Sequence, residues 1–130
     1  MSDAPDNQDN VVPLRGSGPP STPNDPHFAE VLSFMSKRKP KGTGIDYWDV
    51  TPTGSYSDDC ETGRALAEEY LTFIGSNPTA GNATLLTCIV REMIDRAANG
   101  GQWSGVHVGF LAGVNHHAMA AALLDAQVRV

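Results

Sequence analysis

Four histidines, two cysteines and a scatter of aspartates are the residues of this 130-residue chain whose types could do chemistry. His116 and His117 draw attention first, because they lie inside its most apolar stretch, Gly105–Leu124. Metal ligands on one helix usually sit three or four residues apart, while adjacent residues diverge by about 100°. The two imidazoles therefore cannot readily share one ion from a regular helix, and each would need ligands from elsewhere. Hydrogen-bonded core histidines are the plainer expectation. Cys60 and Cys88 lack the spacing of a zinc or redox pair and read as free, partly buried thiols. Asp46, Asp49, Asp58 and Asp59 do not follow the calcium-loop pattern, and helix capping accounts for two of them. No nucleophile elbow, phosphate loop or dinucleotide fingerprint occurs. These residues do not assemble into a catalytic constellation, and no cofactor is expected.

The elements that would position these side chains can be read in order. Residues 1–24 are rich in Pro, Asp, Asn, Ser and Gly and are expected to form a disordered acidic tail, with Val11–Leu14 as its one apolar run. Residues 25–130 are expected to form a single helical domain. A first helix should start at Asp25–Pro26 and carry Phe28, Val31, Leu32 and Met35 on one face. Lys37, Arg38 and Lys39 would then sit near its negative end, with Pro40 as the stop and Lys41 beyond it.

A long loop follows, with Ile45, Asp46, Tyr47, Trp48, Asp49 and Tyr56 as its conspicuous side chains. Long loops without regular structure are uncommon in compact domains and are often functional. Exposed tryptophan and tyrosine are favoured anchors at interfaces, so these six residues are the expected partner-binding set. The plainer reading of the same residues is a strap whose aromatics dock on the helices and close the edge of the core.

A second helix should begin near Ser57–Asp59, gather Cys60, Gly63, Leu66, Ala67, Tyr70, Phe73 and Ile74 on one face, and stop at Gly75. A third, from about Thr79 or Asn82 to Ala98, presents one wide stripe from Leu85 to Ala97. The last, from about Ser104 to Ala126, carries Gly105, Gly109 and Gly113 four residues apart on one side. A bare face invites close approach of another backbone, and Gly63 is the expected contact. His116 and His117 fall on the same, buried side of this projection. Ser104, His107, Asn115 and Asp125 form its narrow polar edge.

The expected fold is therefore all-α: a small bundle of about four helices with a disordered tail and a long aromatic loop. A net charge of −6 argues against nucleic-acid binding as the main task. The polar groups within the glycine helix argue against a membrane span, and a cytoplasmic location follows by default. The leading functional expectation is a non-catalytic interaction or regulatory module that binds a protein partner through the aromatic loop and a helical surface. A small metal-binding protein or metal-dependent enzyme using His116 or His117 is the alternative. An acidic inhibitor imitating nucleic acid comes third. Homo-oligomerisation through the glycine helix stays open, because the glycine face could pack within one chain or between two.

Overall fold

The computed structural model describes residues 27–38 and 44–129. The tail over residues 1–24, the helix start at Asp25–Pro26, and Lys39 and Lys41 lie outside them. Element order is α1 (Phe28–Val31), β1 (Ser36–Lys37), β2 (Ile45–Asp46), α2 (Tyr56–Ser76), a single 3-10 turn (Asn82–Thr84), α3 (Leu85–Ala98) and α4 (Gly105–Arg129). The described chain is mostly helical, as expected. It also contains an antiparallel ribbon that pairs Ser36 with Asp46 and Lys37 with Ile45, which the all-α expectation did not include.

The first helix is the main correction. It lasts one turn, capped by His27 Nδ1, which accepts from the Ala29 N–H at 3.1 Å. Leu32 already has extended backbone angles, φ −82° and ψ 123°. A longer helix would have buried Leu32 and Met35 on one side and left Phe34 about 200° around, in water. The turn and ribbon bury Leu32, Phe34 and Met35 together.

α2 starts one residue before the expected span, with the Ser55 hydroxyl turned towards the Asp58 N–H. It runs through Gly75 and ends where the Asn77 N–H returns to the Phe73 carbonyl. Gly63, Ala67, Tyr70 and Phe73 are buried at helical spacing, and Cys60, Leu66 and Ile74 flank them half-buried. α3 contributes Leu85, Ile89 and Met93 to the core. In the other half of its stripe Leu86 packs half-buried on the core, Val90 is half-buried and Ile94 is exposed.

α2 and α4 lie side by side and run in the same direction. Gly105 sits against Tyr56 and Cys60, Gly109 against Cys60, and Gly113 against Arg64 and Ala67. The contact is backbone on backbone. A Cβ on Gly63 would strike the Val106 carbonyl and lie 2.6 Å from Phe110 N and 2.9 Å from Gly109 Cα. Gly63 thus meets the glycine face where the sequence places it, and the face packs within one chain. Among the described residues, no helix is long and apolar enough to cross a membrane.

Candidate functional site

The aromatic loop is built first as a strap. Trp48 is only 2% exposed, and its ring lies 5.5 Å from Phe34, 5.1 Å from Phe110 and 5.5 Å from His107. The Asp49 N–H donates to the Phe34 carbonyl at 2.7 Å, which extends the pairing of the ribbon past Trp48 and fixes that ring inward. Tyr47 stacks on Phe28 with ring centroids 5.8 Å apart. Burial first, then the neighbouring Cys88 thiol, raise its hydroxyl above the ordinary tyrosine range.

The acids of the strap are engaged as well. Asp46 accepts from Arg38 Nε at 2.8 Å and pairs with Arg96 at 3.2 Å. Glu92 pairs with both arginines, at 3.3 and 3.1 Å, so a closed ring of four charges ties β2 to α3. Asp49 accepts from the Ser36 hydroxyl. Ile45 is half-buried in the ribbon. Of the six loop residues singled out, Tyr56 is the one whose large aromatic ring stands in solvent, 64% exposed at the first turn of α2.

Two positions carry more of the architecture than their sequence context suggests. Asp59 is buried, and its carboxylate accepts from the Thr53 N–H and hydroxyl and from the Gly54 N–H. Those bonds hold it below the usual carboxylate range and fasten the end of the strap to α2. The second is His107, expected on a polar edge and found buried between Trp48 and Trp103, the latter stacked at 4.3 Å. Its Nδ1 accepts from the Ser104 N–H at 2.9 Å while the Ser104 hydroxyl accepts from the Val106 N–H. This resembles a capping box, with histidine in the place usually held by glutamate and the serine hydroxyl on the second helical N–H in place of the third. The signal lay in the sequence as a serine with a hydrogen-bonding side chain three residues on.

That bond requires an unprotonated Nδ1, and burial lowers the His107 pKa. The unfolded chain therefore takes up this proton first, beginning near the ordinary histidine value of about 6.5. Stability contributed by His107 is present above that pH and is lost as pH falls towards its depressed folded value. Denaturant midpoints measured from neutral to mildly acidic pH should fall in this window. The His107→Gln variant should lack that part of the slope.

The second half of α4 differs from the first. Gly105, Val106, His107, Gly109 and Phe110 are buried, whereas every described residue from Asn115 to Arg129 is exposed. Met119, Leu123, Leu124 and Val128 are 63%, 61%, 62% and 82% exposed. The expectation that His116 and His117 are core groups is corrected here. Val114 is the last half-buried residue of α4, and from Gly113 outward α4 and α2 leave a cleft of about 570 Å³ between them. Ala67, Leu71 and Ala120 line it together with Arg64, Glu68, His116 and His117. Among the described residues, no group of three or more His, Cys, Asp or Glu side chains could hold a metal ion. Cys60 and Cys88 are free and half-buried.

What the site offers chemically is therefore apolar contact beside two histidines and the charged Arg64 and Glu68. No family model, curated protein or solved structure matches this chain.

Proposed function

We propose that this protein is a non-catalytic interaction module whose binding surface is the outer half of α4 and the cleft beside it. One observation carries the reading: a helical segment of fifteen residues, Asn115–Arg129, with no buried residue and with four large apolar side chains in water. Isolated helices of about 12–15 residues are marginal in water, so a segment of this kind gains from a partner that covers it. Contiguous exposed apolar surface of this sort commonly marks an interaction site.

The aromatic loop supports this surface by closing the core, and only Tyr56 keeps a large exposed aromatic ring there. The test is capture of a partner from the native host by the immobilised chain. The Leu123→Asp/Leu124→Asp variant should keep its helical circular dichroism and lose the captured partner. Equal capture by the variant and the unaltered chain would overturn the reading.

A further inference from the structure

We infer that Asn99 is a modification site: in the folded protein its side-chain amide is converted by water to a carboxylate, through a cyclic imide formed with the Gly100 nitrogen. The inference is independent of the surface on α4.

The sequence supplies the chemistry. An asparagine cyclises when the backbone nitrogen of the next residue attacks its side-chain carbonyl carbon, and a side chain on that next residue obstructs the approach. The chain has seven asparagines, and Asn99 is the one followed by glycine. Asn77 precedes proline, whose nitrogen carries no hydrogen and cannot form the imide.

The structure supplies the access. Asn99 and Gly100 are exposed, in the connection from α3 to α4. Asn99 ends α3 with φ −101° and ψ 36°, and Gly100 follows at φ +96°. The Asn99 Nδ2 donates to the Asp95 carbonyl at 2.8 Å, and the Gly101 N–H donates to the Arg96 carbonyl at 2.8 Å. The Gly100 N–H, the nucleophile, meets no acceptor among the described residues. At ψ 36° this nitrogen points away from the Asn99 side-chain carbon, so cyclisation needs a rotation about the Asn99 Cα–C bond. That rotation opens the two cap bonds at a solvated helix end, where local opening is easiest. Asn115 is the internal contrast. It is equally exposed but lies within α4, where the following nitrogen belongs to the helix ladder and carries His116.

The Gly100 nitrogen gives its proton to a solvent base and bonds to Asn99 Cγ, the Cγ–Nδ2 bond breaks, and ammonia leaves. Water then opens the five-membered imide at either carbonyl, with no change of oxidation state. Opening at Cγ gives aspartate. Opening at the main-chain carbonyl gives the β-linked isomer, with the chain rerouted through Cβ and Cγ. Either product puts a negative charge at the negative end of α3 and removes the donor to the Asp95 carbonyl. The β-linked product also lengthens the connection that sets Trp103 and Ser104 against His107.

Peptide mapping by mass spectrometry of the full chain, incubated folded at neutral and at mildly alkaline pH, reads the outcome. The Asn99 peptide should gain the mass of an amide exchanged for an acid, as two isomers, faster at the higher pH and ahead of Asn82 and Asn115. The Asn99→Gln variant should keep every amide in that peptide, Gln102 included. Conversion of Asn82 or Asn115 at an equal or greater rate overturns the inference. So does a chain that converts only when unfolded in denaturant, since the cap then holds Asn99 closed in the folded state. A gain of acid in the Asn99→Gln peptide assigns the reaction to Gln102 and overturns it too.

Discussion

Replacing Gly109 with leucine is expected to lower the melting temperature by roughly 10–20 °C, the effect of about 3 kcal/mol of overpacking in a domain of this size. A Cβ at Gly109 would collide with the Cys60 carbonyl oxygen and lie 2.8 Å from its carbon, so the atoms in the way are backbone of α2. Hydrogen-bonded backbone within a long helix cannot rotate aside, and the two helices would have to separate. Separation would also pull Phe110 from its contacts with Phe34, Trp48 and Tyr70. Alanine at Gly63 meets the same wall from the other side. Gly75 is the contrast: it is helical, exposed and has nothing near an added Cβ, so Gly75→Ala should stabilise by about 0.5–1 kcal/mol. Thermal melts of these variants measure the seam. A Gly109→Leu chain melting with the unaltered protein would contradict the close approach of α2 and α4.

Removing the Trp48 ring should cost about 3–5 kcal/mol, the range for truncating a buried aromatic to alanine. Trp48 is the largest fully buried side chain, and three rings, those of Phe34, His107 and Phe110, surround it. Its loss opens a cavity at the point where the strap, the first segment and α4 meet. The anchor reading of the sequence predicts otherwise, since a tryptophan used only for binding could be removed with the helices intact. Tyr47→Ala, which strips a half-buried ring stacked on Phe28, should cost less. Denaturant unfolding followed by circular dichroism separates the two accounts. An unchanged midpoint for Trp48→Ala would return this ring to solvent and to the role of anchor.

Much of the helical framework was legible before the structure. α2, α3 and α4 declare themselves because apolar residues recur at helical spacing between Ser/Asp starts and Asn/Gly stops. Gly63 was legible for a sharper reason: a glycine inside a helix is costly, and a close neighbour explains its presence. The ribbon was not legible, since strands of two residues leave no alternation to detect. Phe28, Val31, Leu32 and Met35 fit a helical face, yet Phe34 must also be buried; the turn buries Leu32, Phe34 and Met35 together and leaves Val31 exposed. For the candidate site, a helical wheel shows which residues share a face but not where the neighbouring helix stops covering it. That is why His116 and His117 were expected inside and stand outside. The loop is ambiguous in the opposite sense, because tryptophan and tyrosine have the same composition signature in a strap as in a binding surface, and Trp48 is buried here.

The most direct measurement of where this protein binds sets three chains side by side in one capture experiment. They are the unaltered protein, the Leu123→Asp/Leu124→Asp variant, and a Tyr47→Ala/Tyr56→Ala variant of the strap, each checked for its helical circular dichroism. Full retention by the unaltered and strap chains, with a tenth or less on the α4 variant, is the expected result, roughly 1.4 kcal/mol or more of lost affinity. Full retention on the α4 variant, with loss on the strap variant, would contradict it and place the binding surface on the aromatic loop.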